Sequence, residues 1–252
     1  MLAKFQRKIS WLRQMLFMLT KLMHVSKWKV FILISEQSNS FDAPFEVSYS
    51  QAGEDICFLS LLPSGIKGSY IDIGAYHPSR FSVTRRLYNH GWRGVNIDAN
   101  QDLLSEFEKF RKEDVNLNFA IGQQECYELN ILSKRAMSTV DNSNVRKAAT
   151  LGVPVEEVRK VPGRTLRSVY DEYFPDSKCI LVTLDIEGAE YDALLSMEFE
   201  TLRLHRFPEW ILIETSPPVS NALSLPSVEL CMGFGYTAEL VLPMATLLRK
   251  TS

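Results

Sequence analysis

Three features of this sequence predict an α/β fold, a mostly parallel open sheet with helices on both faces. Residues 69–100, SYIDIGAYHPSRFSVTRRLYNHGWRGVNIDAN, read as a strand, a glycine-containing turn, a helix and a second strand ending in an acid. Apolar, β-branched runs then alternate with amphipathic segments down the rest of the chain. The composition, 46% apolar and 23% charged over 252 residues, is enough for one large core plus an appendage.

The first unit can be read residue by residue. Tyr70, Ile71 and Ile73 make the apolar run of a buried parallel strand, and Gly74-Ala75 follows where the backbone must turn and admit a ligand closely. Ser79 or Ser82 is the expected cap of the next helix, which turns Val83, Leu87 and Tyr88 to the sheet and stops near Gly91. The strand at 95–97 brings Asp98 to its carboxyl end, where a carboxylate can accept both hydrogen bonds of a ribose diol. A dinucleotide fold wants G-x-G-x-x-G, whereas here Tyr76, His77 and Pro78 stand where the later glycines would fall. A ligand without phosphates, such as S-adenosylmethionine with its adenosine and amino-acid tail, therefore fits this turn better than NAD.

The remaining elements follow from period and punctuation. Residues 100–113 read as a charged helix burying Leu103, Leu104, Phe107 and Phe110, residues 116–121 as the third strand and 126–132 as another short one. Residues 136–154, rich in Ser, Asn, Lys and Gly, show no sustained period and read as a substrate-facing loop or lid. A helix is expected over 164–173, the fourth strand over 179–185, a helix over 189–197 and the fifth strand over 210–215. A short helix over 226–233 and an antiparallel pair, 236–242 with 246–250, close the chain.

The N-terminus is a different kind of sequence. Residues 1–35 carry seven cations and no acid, which leaves 21 cations against 30 acids in the remainder. Phe5, Ile9, Leu12, Leu16, Leu19 and Met23 lay one apolar stripe along a helix. The uncharged stretch is too short to span a bilayer, so residues 1–42 are expected to be a basic amphipathic arm and linker ahead of a catalytic domain over 43–252. Residues 1–34 would contact an anionic membrane, pack in a homo-oligomer or dock on their own domain. The net charge of −2 gives no case for a nucleic-acid partner. Cys57, Cys126, Cys179 and Cys231 form no close pairs and read as reduced, mostly buried thiols of a cytoplasmic protein.

The strongest catalytic signal is Asp185-Ile186-Glu187-Gly188-Ala189-Glu190, where a strand ends in carboxylates at the same edge as Gly74 and Asp98. Carboxylates gathered at such an edge can act as a base or hold a metal that acidifies a nucleophile. Asp185 and Glu187 alternate along a strand, so they should face opposite sides unless the chain turns between them. Glu190 falls where an acid favours a helix N-terminus. Glu214 can join Asp185 around Mg²⁺ or another divalent ion, or pair with Arg164 or Arg206. His77 is a second candidate base, or a residue that shapes its loop.

YSQAGED at 49–55, YIDIGAYHP at 70–78, LYNHGWRGVNIDAN at 87–100 and LVTLDIEGAE at 181–190 occur in the order found in the FkbM family of methyltransferases, which the chain resembles over about residues 48–216. The resemblance implies a class I, seven-stranded Rossmann-like fold that uses S-adenosyl-L-methionine to methylate a hydroxyl of a small molecule or glycan. It assigns Asp72, Gly74, Ala75, Asp98 and Ala120 to the cofactor, with Gln51, Glu54 and Asp55 closing over its methionine end. A helix start capped by Ser50 is the simpler account of that last block. Asp185, Glu187 and His77 are the expected catalytic residues. The alternative is a non-catalytic peripheral-membrane or scaffold protein that keeps the fold. The basic arm and the C-terminal hairpin depart from the family pattern, which bears on the acceptor pocket more than on the cofactor.

Overall fold

Alternation along the strands sorts the side chains into two layers. In β1 (Ser69–Ile73), Ile71 and Ile73 join one buried cluster and Tyr70 the other; in β8 (Trp210–Glu214), Ile211 and Ile213 divide from Trp210 and Leu212 in the same way. Both faces of the sheet are thus covered, as parallel strands require. This computed structural model describes residues 47–176, 179–215 and 219–251, and the chain divides into units between Val47 and Ser48. The expected arm and linker therefore lie outside the described residues.

The main sheet has seven strands in the order β3-β2-β1-β7-β8-β10-β9. β2 (Arg93–Ile97), β3 (Val115–Leu117), β7 (Leu181–Leu184) and β8 pair in parallel around β1, while β10 (Ala245–Lys250) runs antiparallel to both β8 and β9 (Tyr236–Val241). One face carries α1 (Glu54–Ser60) and α2 (Thr84–Asn89), whose Phe58 and Leu87 pack with Trp92 and Trp210. The other carries α5 (Leu166–Tyr173), α6 (Glu190–Leu195) and α7 (Pro226–Gly233), which bury Val169, Leu194 and Val228. Burying each such side chain contributes about 1.5–3 kcal/mol. The strand order reverses between β1 and β7, the place where an open α/β sheet leaves a crevice.

Four expectations need correction. The strand expected at 116–121 is two: β3 in the main sheet, then β4 (Ala120–Ile121) in a second sheet ordered β4-β6-β5. The charged helix is shorter, a 3-10 turn (Gln101–Leu103) capped by Asn100 and then α3 (Leu104–Phe110), and Phe110 is 51% exposed rather than buried. The lid segment contains a real helix, α4 (Asn142–Thr150), whose cap Asp141 accepts hydrogen bonds from Ser143 N and Asn144 N. No strand is expected at β6 (Val155–Arg164), yet it pairs along the length of β5 (Cys126–Leu132). Among the cysteines, Cys179 and Cys231 are buried, but Cys126 is exposed and Cys57 intermediate.

Candidate active site

The turn after β1 lies against the loop after β7. Gly74 adopts φ 81°, and a Cβ placed there would lie 1.9 Å from the Asp185 carbonyl oxygen, so only glycine fits both the conformation and the approach. Gly74 N and Ala75 N both donate to Ile97 O, tying the turn to the end of β2 as well. Two clefts open on either side of this junction and share Gly74 and Asp185 in their walls.

The first cleft, about 630 Å³ of open space, is walled by Leu103, Phe119, Ala120, Ile121 and Leu129 and has Asp98 at its polar side. Each Asp98 oxygen accepts one backbone hydrogen bond, from Tyr76 N at 2.9 Å and Asn100 N at 2.7 Å, leaving further lone pairs for a ligand. Burial outweighs those bonds and pushes the Asp98 carboxyl up to about 6. Asn100, only 2% exposed, lines the same cleft, and its Nδ2 has no hydrogen-bond partner. A buried donor without a partner costs about 1–3 kcal/mol, which a ligand acceptor would relieve. An apolar slot, an acid suited to a diol and an orphaned amide together fit an adenosine. The sequence carried the Asn100 signal in the DAN tripeptide that follows β2.

The second cleft, about 490 Å³, is lined by Gln51, Glu54, Asp72, Ala75, Phe81, Val83, Leu212, Glu214 and Met244. Glu54 sits in the first turn of α1 and accepts from Ala52 N. Asp55 does not line this cleft; its carboxylate gathers hydrogen bonds from Ser48 Oγ, Tyr49 N and Ser50 Oγ and organises the lead-in to α1. Asp72 is buried and accepts from Thr84 Oγ1 and Thr183 Oγ1, with burial raising its carboxyl above the usual range. His77 lines neither cleft, and its Nδ1 accepts from Ser79 N and Arg80 N, the loop-shaping arrangement. Arg85 N donates to Ser82 Oγ, which makes Ser82 rather than Ser79 the residue that steadies the start of α2.

Asp185 and Glu187 do not diverge. β7 ends at Leu184, and Glu187 takes the left-handed conformation at φ 53° followed by Gly188 at φ 105°. The chain turns between the two acids, and with Glu214 they place one carboxylate oxygen each within 4.8 Å of one another. Burial, then Glu214 and Glu187, hold the Asp185 carboxyl well above the usual range, and a hydrogen bond with Glu214 adds to this. Glu187 is pushed up to about 7, by burial first and then by the charges of Glu214 and Glu190. Glu190 takes the structural role, accepting from Ile186 N and Gly188 N. Arg164 and Arg206 pair with Glu172 and Asp171.

Tyr76, which lines the first cleft, and Phe81, which lines the second, form a stacked pair, ring centroids 6.2 Å apart and 18° from parallel. Four non-glycine residues have positive φ among the described residues, and three of them, Tyr76, Phe81 and Glu187, border these clefts. Strain concentrated in this way marks a functional site.

The Methyltransferase FkbM domain model matches residues 72–223, more than half of the chain. The chain belongs to the FkbM methyltransferase family. It is accordingly an S-adenosylmethionine-dependent methyltransferase. No curated protein matches it. Among solved structures it is similar to a TehB-like S-adenosylmethionine-dependent methyltransferase from Corynebacterium glutamicum ATCC 13032, at 10% identity over 89% of this chain and 95% of that one, TM-score 0.40. It is also similar to the precorrin-6y C5,15-methyltransferase from Geobacter metallireducens GS-15, at 12% identity over 78% and 86%, TM-score 0.43. A human methyltransferase 10 domain containing protein matches at 12% identity over 87% and 92%, TM-score 0.41.

Proposed function

We propose that this FkbM-family methyltransferase methylates a hydroxyl of a small molecule or glycan, with the cofactor's adenosine in the first cleft and the acceptor reaching Asp185 from the second. The observation that supports this reading is the meeting of three carboxylates where the two clefts join. A hydroxyl is a poor nucleophile near neutral pH and needs help that an amine does not. Bound S-adenosylmethionine supplies a methyl group activated on a sulfonium. Asp98 and Asn100 hold the ribose side, and Phe119, Ala120 and Ile121 exclude water from the adenine. Glu187, tuned near neutrality, takes the acceptor's hydroxyl proton at a carboxylate oxygen. Asp185, whose carboxyl burial and then the charges of Glu214 and Glu187 hold well above the usual range, makes the hydrogen bond that orients the acceptor.

The same three acids are also the candidate set for a divalent ion such as Mg²⁺, which they would hold to acidify the hydroxyl. Labelled S-adenosylmethionine incubated with extract fractions of the native cells tests the reading. Label in an alkali-stable ether of a sugar or alcohol supports it, and label confined to amines or thiols overturns it. Chelation separates the two uses of the acids: loss of transfer in EDTA with recovery in Mg²⁺ or Mn²⁺ assigns a metal, and indifference assigns the base.

A further inference from the structure

We infer that Thr139 and Asn144, from the segment between β5 and β6, are positioning residues that hold Glu187 in its left-handed conformation and so aim its carboxylate at Asp185 and Glu214. The inference rests on the proposed role of Glu187 in the transfer. Both side chains reach one acceptor, the Glu187 carbonyl oxygen: Thr139 Oγ1 donates at 2.8 Å, and Asn144 Nδ2 donates beside it. A carbonyl fixed by two donors fixes the peptide plane between Glu187 and Gly188, and with it the backbone torsions on either side.

The two donors are themselves anchored. Thr139 is 1% exposed and bridges to Asn130 of β5 in both directions, N to O at 3.1 Å and 2.9 Å, while its Oγ1 also accepts from Asp141 N. Asn144 lies in the first turn of α4, whose cap Asp141 binds the backbone N–H groups of Ser143 and Asn144. The contact is close enough to dictate the next residue too, since a Cβ on Gly188 would fall 2.4 Å from Asn144 Nδ2 and 2.9 Å from Asp141 Oδ2. A left-handed glutamate is strained and persists only where its surroundings over-determine it. Two hydrogen bonds to its carbonyl and a glycine seated against the clasp are that over-determination. Glu187 and Thr139 both line the first cleft, so the clasp lies at the site and not remote from it. A segment that reads in the sequence as a lid is a bracket for an active-site acid.

The test is Thr139→Ala/Asn144→Ala, with Thr139→Ser as the conservative variant that keeps the hydroxyl. Three readouts are needed: the HN–Hα coupling and carbon shifts of Glu187, which report the sign of φ; calorimetric affinity for S-adenosylhomocysteine; and the rate of label transfer. The expected result is that Glu187 leaves the left-handed region, transfer falls by about 10- to 100-fold and cofactor-product affinity stays within about twofold. Thr139→Ser keeps most of the rate. Gly188→Ala, which wedges the clasp open from the other side, reproduces the rate loss. A double variant in which Glu187 stays left-handed overturns the inference, and so does a rate that falls only in step with S-adenosylhomocysteine affinity and thermal stability. Glu187→Gln distinguishes this failure from failure of the functional reading: wild-type transfer in Glu187→Gln defeats the role of Glu187, whereas a slow Glu187→Gln beside a fast double variant defeats only the clasp.

Discussion

Asp72 on β1 and Asp185 just beyond β7 are carboxylates on neighbouring strands, both pushed up by burial, yet they keep opposite electrostatic company. Asp72 belongs to a network closed by a cation. The wholly buried Arg111 donates from Nε to Asp114 and from Nη2 to Tyr70 Oη, Thr84 Oγ1 and Asn96 Oδ1, and Thr84 in turn donates to Asp72. Arg111 Nη1 also reaches Pro78 O, so the network braces the loop that follows Gly74. Asp185 is surrounded instead by charges of its own sign, from Glu214, Glu187 and Glu190. The first arrangement is what a folded domain needs to keep charge in its interior. The second works against folding, and on the proposed reading burying that many acids together is sustained by what they do to a substrate.

The largest effect should come from breaking the closed network. Arg111→Met leaves Asp114 and Asp72 without their cation and should cost about 3–5 kcal/mol of unfolding free energy, read from urea denaturation. A loss below about 1 kcal/mol would show that the network is not what stabilises this side of the sheet. A smaller effect is expected at the cofactor. Asp98→Ala should weaken S-adenosylhomocysteine binding by about 1–3 kcal/mol in calorimetry, and Asn100→Ala by less, because it removes a donor that has no partner in the free protein. Unchanged affinity in both variants would move the adenosine out of the first cleft.

The smallest effect is a slope. Glu187 is raised from the ordinary glutamate value of 4.5 to about 7, so the folded state holds its proton more tightly than the unfolded chain does. Its contribution to stability is therefore present below about 4.5 and lost as the pH rises to about 7, and Glu187→Gln should flatten the fall of melting temperature over that window. Transfer should run the other way in the wild type, rising with pH around 7 as the base becomes ionised. A flat rate profile between about pH 5 and pH 9, about two units either side of that midpoint, would remove Glu187 as the base.

The difference between the two regions also decided what could be read from the sequence. β5 and α7 have the expected bounds, and β1, α2 and β2 fall where their apolar periods and glycines put them. β6 escaped because VEEVRKVPGR is charged, carries Pro162 and Gly163, and faces water along most of its length, with none of the apolar alternation that marks a half-buried strand. The acids of the site were legible as residue types, but their convergence was not. It depends on Glu187 turning left-handed, held by Thr139 and Asn144, more than forty residues earlier in the chain. The Arg111 network was equally invisible, since nothing local distinguishes an arginine in a charged helix end from the exposed cations around it.

The central claim is that the Asp185 cluster is kept for chemistry and not for folding, and Asp185→Asn tests it most directly. The substitution is nearly isosteric and takes one ionisable carboxyl out of a cluster of like groups, and with it the capacity to act as a carboxylate. Unfolding free energy and label transfer measured on the same preparation should show a variant at least as stable as the wild type, with S-adenosylhomocysteine affinity within about twofold and transfer reduced by about 100-fold or more. A variant that transfers methyl groups at the wild-type rate, or that loses stability on the scale expected of Arg111→Met, would contradict it.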